Sequence, residues 1–363
     1  MKNLLEKERY LQRTVDRYED IRGPFFRDQT AIIHSLSFRR LKHKTQVFFS
    51  PENDHVCTRI EHVMHVATIA ATICKGLKKY GWKLDGEMAF AIGLAHDLGH
   101  APFGHAGEAA LNSVQNEVNF VHEVNSYRIV EHLDGLNLTY GVKDGIICHN
   151  GERFEQYLKP RSEYLDLNTI IDRMHVSSSY EGCIVRFSDK IAYLGRDIED
   201  AISAGLITTK DIPNSILKVL GAKNGEIINS LVIDFINNSK NRDMIGFSDE
   251  KFDLLVKLKI FNYNKIYNHK KLQKYTNYSK RVIEILYNYL YEKYMTYSFE
   301  YEAYMSSSMK IDLKFAEFLK KMHDFYENEK TSSERIIIDY ISGMTDHYAL
   351  ECVKNIIIPK SII

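Results

Sequence analysis

Apolar residues recur along this 363-residue chain at spacings of three and four, and hardly anywhere at a spacing of two. In RIEHVMHVATIAATICKGL they fall at Ile60, Val63, Val66, Ala70, Ile73 and Leu77, one stripe of a helix. In CIVRFSDKIAYLGRDIEDAI they fall at Phe187, Ile191, Leu194, Ile198 and Ala201. The same periodicity predicts helices from about Ala31 to Leu41, Glu87 to His96, Val121 to Leu133, Ile227 to Ile236, Arg281 to Tyr294, Ile311 to Tyr326 and Glu334 to Gly343. With only six prolines, long uninterrupted helices are open to the chain. The pattern therefore predicts an all-α fold, without internal repeats or a glycine-serine linker.

Composition adds limits. Hydrophobic residues make up 44% of the chain, enough to bury a substantial core. Formal net charge is zero, so no whole-molecule field draws the protein to nucleic acid or an anionic membrane. Cys57, Cys74, Cys148, Cys183 and Cys352 are odd in number, widely spread and without a CxxC pair, as expected of reduced thiols in a cytoplasmic protein. The opening MKNLLEKERYLQRTVDRYED has no apolar core of a signal peptide. No run approaches the roughly 18 apolar residues of a membrane span, so no membrane partner is expected. After about Gly205, Lys, Asn, Tyr and Ile become dense, which suggests a first region over 1–205 and a second over 206–363. From Lys251 to Lys293 ten Lys or Arg stand against three Asp or Glu, with many tyrosines between. Such a segment could bind single-stranded nucleic acid weakly, or an effector nucleotide. A solvated face of an amphipathic helix accounts for it more simply.

The chemistry concentrates in AHDLGHAPFGHAGE, Ala95 to Glu108, directly after the apolar run MAFAIGLA. Buried imidazoles and carboxylates are costly unless they pair with one another or hold a cation. A helix from Glu87 puts His96, Asp97 and His100 near its C-terminal end, and a second helix starts near His105. His96 and Asp97 are adjacent and diverge by about 100° on a helix, so other helices must complete any ion's shell. His62, beside the apolar stripe of its helix, is the best upstream candidate; Asp189, on the polar stripe of RFSDKIAY, is the best downstream. Two imidazoles with two carboxylates suit one six-coordinate Mn²⁺, Fe²⁺, Co²⁺, Ni²⁺ or Mg²⁺.

His62, the vicinal pair His96 and Asp97, and the late Asp189 resemble the H…HD…D signature of the HD-domain metallophosphohydrolases. Six segments in order narrow the resemblance: SFRRLKHKTQVF, DHVCTRIEH, HDLGHAPFGHAGE, GLNLT, DKIAYLGRDIEDAI and DYISGMTDHYAL. Together they are similar to the bacterial dGTPase-like deoxynucleoside triphosphate triphosphohydrolases, over about residues 22 to 205 plus the C-terminal segment. That resemblance implies an HD-type helical core with additional C-terminal helices packed on it. The second region would return to the pocket over residues 335–350 and form one compact unit with the first. It also implies hydrolysis of dNTPs at the α-phosphorus to a deoxynucleoside and inorganic triphosphate, with one divalent ion held by His62, His96, Asp97 and Asp189. An allosteric nucleotide and a homo-oligomer, often a hexamer, come with the family.

The same resemblance gives roles to other residues. His105 and Glu108, three apart on a helix, would form the catalytic imidazole–carboxylate pair, and His122 would join them near the phosphates. Arg59 and Lys190 would contact the triphosphate, with His100 beside them. Gln46 would read the sugar 3′-hydroxyl, Tyr193 would pack on the deoxyribose and leave little room for a 2′-hydroxyl, and Asp197 could accept from the 3′-hydroxyl. Tyr340 would stand on the pocket wall near the base. The chain departs from the family form at His122, Glu123 and Asn125, and again at Asp346, His347 and Tyr348. A 5′-nucleotidase or cyclic-nucleotide phosphodiesterase would use the same metal set, and a non-catalytic nucleotide-binding regulator is the alternative from another class.

Overall fold

A computed structural model describes residues 1–18, 20–48, 57–115, 117–307 and 309–358. Its longer helices are α1 (Pro24–His34), α2 (Arg59–Lys78), α3 (Gly86–Ala95), α4 (Gly104–Val114), α5 (His122–Arg128), α6 (Tyr140–Ile147), α7 (Tyr180–Ser203), α8 (Asn224–Ser239), α9 (Asp249–Asn262), α10 (Lys270–Tyr297), α11 (Lys310–Glu329), α12 (Ser333–Ser342) and α13 (Asp346–Ile357). Among the described residues the one sheet is a two-residue ribbon, β1 (Tyr157–Leu158) antiparallel to β2 (Ile245–Gly246), with Tyr157 opposite Gly246. The fold is all-α, as the periodicity predicts. Of the DHVCTRIEH segment, Asp54 to Val56 lie outside the described residues.

α3 is apolar on nearly every side, and a helix of that kind belongs at the centre of a core. α1, α2, α6 and α7 pack around it. Gly93 permits the backbone of α2 to approach closely: a Cβ there would fall 2.6 Å from Ala67 Cα. The end of α3, with His96 and Asp97, is thereby drawn to the start of α2, with His62. Caps fix where the helices begin. Thr58 and Glu61 form a capping box on α2, Asp85 accepts from Glu87 N and Met88 N on α3, and Ser179 accepts from Gly182 N on α7.

The helix expected from Ala31 to Leu41 is broken. Ser35 leaves helical geometry (φ −69°, ψ 156°), and its hydroxyl accepts from Phe38 N to start a separate short helix, Leu36–Arg40. Serine competes for backbone donors in this way wherever a helix can be capped. In the second half, α10 packs on α4, α12 and α13. One cluster of buried apolar side chains runs from Tyr10 to Val353 and includes residues on both sides of Gly205. All five cysteines are buried and free. Among the described residues no helix is long and apolar enough to cross a membrane.

Candidate active site

Three helices deliver the presumed ligands. The first turn of α2 carries Arg59 and His62, α3 is capped by His96 with Asp97 next, and α7 carries Asp189 near its middle. His62 Nε2 lies 3.0 Å from Asp189 Oδ1 and 3.8 Å from Asp97 Oδ2. His96 Nε2 lies 3.5 Å from Asp97 Oδ1 and 3.9 Å from Asp189 Oδ1. Two donors sharing an ion through bonds of about 2.1 Å stand roughly 3.0 Å apart when cis and roughly 4.2 Å when trans. The four separations fall inside that range.

The donor chemistry also fits a cation. His96 Nδ1 is 2.8 Å from Gly93 O and donates to it, leaving a lone pair on Nε2, which is buried without a hydrogen-bond partner. Such an orphan costs about 1–3 kcal/mol unless something answers it. Burial pushes His96 toward its neutral form. Burial opposes ionisation of both aspartates, yet His96, His100 and Arg59 hold Asp97 well below the usual carboxylate range, and the hydrogen-bonded His62 helps hold Asp189 at about 2. Neutral imidazoles and ionised carboxylates are the forms that bind metal. Gly151 makes room for one of them: a Cβ there would fall 1.7 Å from Asp189 Oδ2. Arg59, fully buried, pairs with Asp97 Oδ2 and donates to Thr45 O at 3.2 and 3.3 Å.

Beside this cluster stands a second one. Glu108 Oε2 is 2.9 Å from His122 Nδ1 but 3.8 Å from His105 Nδ1. The carboxylate expected to pair with His105 is therefore engaged with His122. His105, in the first turn of α4, leaves 58% of its side chain exposed and also faces Glu152 at 3.5 Å. Burial alone would lower His122, but Glu123, Glu108 and Asp97 overcome it and hold the imidazole up to about 9. His100 stacks on His122 with ring centroids 3.8 Å apart, and its Nε2 is 3.4 Å from Asp97 Oδ1. Arg173 closes the far side, reaching Glu108 at 2.5 Å and Glu123 and Glu152 at 2.8 Å each.

Both clusters open into one cavity of about 530 Å³, the size of a small-molecule site. His62, Asp97, Asp189, His100, His105, His122, Arg59 and Gln46 line it, opposite a wall of Tyr193, Asp197, Phe103, Tyr263, Tyr267 and Tyr275. Tyr267 donates its hydroxyl to Asp197. Burial, with Asp200 close by, pushes Asp197 up to about 7.

A family model described as an HD domain matches residues 59–177, and one described as a phosphohydrolase-associated domain matches residues 245–355. A deoxyguanosinetriphosphate triphosphohydrolase-like protein of Caldanaerobacter subterraneus subsp. tengcongensis is 38% identical over 345 residues, 94% of this chain and 87% of that one. Proteins of the same description from Clostridium tetani and Clostridium perfringens are 34% and 35% identical, covering 95% of this chain and 88% and 90% of theirs. The chain belongs to the HD-domain, dGTP triphosphohydrolase-like family. Among solved structures, a hypothetical protein from Aquifex aeolicus superimposes with a TM-score of 0.42 at 16% identity, over 89% of this chain and 66% of that one.

Four residues singled out by the family resemblance do not line the cavity: His96 and Glu108 stand behind it, against residues that do, whereas Lys190 and Tyr340 lie apart from it. Lys190 follows Asp189 directly on α7, so it points about 100° away. It is buried between the Phe154 and Phe187 rings with Glu155 at 3.3 Å, and burial lowers it to about 8. Tyr340 on α12 packs on Phe315 and Phe318, with its hydroxyl 3.3 Å from that of Tyr348. What the C-terminal segment sends toward the site is Asp346, which accepts from Thr45 N at 2.9 Å and Phe103 N at 2.8 Å. It clamps the two loops at the rim, one of them carrying Phe103 in the left-handed region at φ 68°.

Other residues of this family member escaped the sequence reading. His149, capping the end of α6, is fully buried with Nε2 3.9 Å from Asp97 Oδ1. Arg173 lies in an irregular segment without periodicity. Tyr263, Tyr267 and Tyr275 belong to the Lys251–Lys293 stretch, and these three of its tyrosines reach the cavity.

Proposed function

We propose that this chain hydrolyses deoxynucleoside triphosphates, dGTP or several of the four, to the deoxynucleoside and inorganic triphosphate. The observation that carries the reading is the meeting of His62, Asp97 and Asp189, with His96 directly behind them, and an aromatic wall in one cavity of small-molecule size. The names of the relatives agree with it. Those four residues would hold one divalent ion, Mn²⁺, Mg²⁺, Fe²⁺, Co²⁺ or Ni²⁺. When bound, it supplies charge neutralisation at the α-phosphate and lowers the pKa of a water.

The chain's own groups do the rest. Water oxygen bonds to the α-phosphorus while the bond from that phosphorus to the 5′-oxygen breaks. Triphosphate leaves with the water oxygen, and the 5′-oxygen takes up a proton. His122 and His105, the imidazoles against Glu108, are placed to move that proton, and Glu108 orients the ring it bonds. Arg59 and His100 stand at the phosphate end beside Asp97. Gln46 and Asp197 offer polar groups to the sugar, and the Tyr193 ring, four residues after Asp189 on the same face of α7, packs where a 2′-hydroxyl would project. Phe103 and Tyr275 close the end suited to a base. The reading extends to a cytoplasmic homo-oligomer, a hexamer, activated by a nucleotide.

Product analysis tests this. The metal-loaded chain, given each dNTP alone and in pairs under Mg²⁺ and Mn²⁺, should yield deoxynucleoside and inorganic triphosphate. Acceleration of one dNTP by another would mark an activating site. Monophosphate with pyrophosphate, or free phosphate, would instead make it a different HD-type phosphohydrolase.

A further inference from the structure

Of the ten Lys or Arg in the Lys251–Lys293 stretch, one, Lys259, lines the cavity. It stands on α9 four residues before Tyr263, which lines the same cavity, so the two share the helix face turned toward it. Its Nζ donates to Glu152 O at 2.9 Å and lies 4.0 Å from the centroid of the Phe154 ring. An ammonium has three N–H donors, and one bond to a carbonyl leaves two to give. The neighbouring carboxylates are held by other cations: Glu152 by Arg173 at 2.8 Å, and Glu155 by Arg186, by Arg153 at 3.2 Å and by Lys190 at 3.3 Å. Among the described residues, Lys259 is in an ion pair with none of them.

The loop after α6 sets where this ammonium stands. Gly151 packs so closely on Asp189 that a Cβ there would fall 1.7 Å from Oδ2, and the next residue, Glu152, offers its carbonyl to Lys259. Lys259 is therefore at the Asp189 end of the cavity, away from the end closed by Phe103 and Tyr275. Arg59 is the other Lys or Arg lining the cavity, and its guanidinium is spent on Asp97 and Thr45 O. Against these two cations stand the acids Asp97, Asp189, Asp197 and Glu152. A triphosphate laid along this wall meets repulsion unless a cation without an acid partner faces it, and Lys259 is that cation.

We propose that Lys259 binds the terminal phosphates of the triphosphate, the place that the family resemblance gives to Lys190. The inference rests on the dNTP-hydrolysing reading above and adds a binding residue to it. A lysine holds phosphate as a compact point charge on a flexible stem. The Phe154 ring and Glu152 O keep that charge at the cavity wall without neutralising it, so the ammonium is in place before the substrate arrives.

The test uses inorganic triphosphate as its probe. Lys259→Gln keeps an N–H for Glu152 O and removes the charge; Lys259→Arg keeps the charge; Lys257→Gln removes an exposed charge from the same helix. Triphosphate binding in Mg²⁺ is measured by calorimetry for the wild type and the three variants, with the fold checked by circular dichroism, beside KM and kcat for a dNTP. Lys259→Gln should bind triphosphate roughly 10- to 100-fold more weakly and raise KM more than it lowers kcat. Lys259→Arg should recover most of the affinity, and Lys257→Gln should match the wild type. Equal affinity in Lys259→Gln and the wild type would overturn the assignment and leave the hydrolysis reading standing. An equal loss in Lys257→Gln would reduce the effect to general attraction and overturn it too. A wild type that binds no triphosphate and releases none from any dNTP would overturn both. If Lys259→Gln does not fold, loss of affinity in Lys257→Gln, or none in a folded Lys259→Met, still refutes the assignment.

Discussion

Asp144 and Asp97 are both buried aspartates, and their surroundings are opposite. Around Asp144 the donors are complete: Oδ2 accepts from Ser177 Oγ at 2.7 Å, Ser178 N at 2.8 Å and Ser178 Oγ at 3.0 Å, while Arg161 bonds Oδ1. Asp28 is similar, with Arg13 at 2.7 Å on one oxygen and Thr139 N and Oγ1 at 2.9 and 2.7 Å on the other. These carboxylates tie loops to helices. Asp97 has one close donor, Arg59, and a longer one, His100 Nε2 at 3.4 Å; elsewhere it faces the Nε2 atoms of His96 at 3.5 Å and of His122 and His149 at 3.9 Å. A buried charge with every acceptor filled secures a fold, and a buried charge beside an imidazole lone pair with no partner, as at His96 Nε2, is arranged for a cation.

The contrast can be broken most forcefully at Asp189. Asp189→Ala should abolish manganese binding and turnover, a larger loss than the roughly 10- to 100-fold an outer residue costs, while the metal-free protein still folds. Retained turnover would place the ion elsewhere. Asp144→Ala should do the reverse: it strands Arg161 and two serines and should cost about 3–5 kcal/mol in denaturant unfolding, with metal affinity of the folded fraction unchanged. A fall in metal affinity at full stability would contradict the division. Glu108→Gln should lower kcat by roughly 10- to 100-fold with a smaller change in KM, because the carboxylate orients an imidazole. An unchanged kcat would remove it from the chemistry.

The last effect concerns pH and leaves the metal centre itself unchanged. Burial raises Asp197 from 3.8 to about 7 in the folded chain. An acid raised in this way binds more protons folded than unfolded between those values, so it weakens the fold as pH climbs from about 4 to about 7. Asp197→Asn lacks that penalty. Its unfolding free energy relative to the wild type should rise across the window, by at most about 1.4 kcal/mol per pH unit. An equal difference at pH 5 and pH 8 would show that Asp197 does not titrate there.

Legibility in the sequence followed the same division. His62, His96, Asp97 and Asp189 could be read because each interrupts or borders an apolar helical stripe, and the stripe fixes which way it faces. The His105 and Glu108 spacing correctly implied a shared face, but it could not show that His105 falls in an exposed first turn while His122 arrives from fourteen residues beyond Glu108 to take the carboxylate. Lys190 was misplaced for a local reason, since adjacency on a helix means divergence. His149 and Arg173 stand at or beyond the end of α6, where periodicity stops and only long-range packing determines position. The tyrosines of α10 and the turn before it looked like surface because one basic, aromatic composition serves both a solvated face and a pocket wall. Ser35 broke a predicted helix through a single hydroxyl that periodicity does not register.

Side chains from α2, the end of α3 and α7 are proposed to form one metal centre. Manganese-loaded crystals with an anomalous difference map test it most directly. A peak within about 2.0–2.3 Å of His62 Nε2, His96 Nε2 and a carboxylate oxygen of each of Asp97 and Asp189 is the expected result. A map with no peak among them, or with manganese only at other residues, would contradict it.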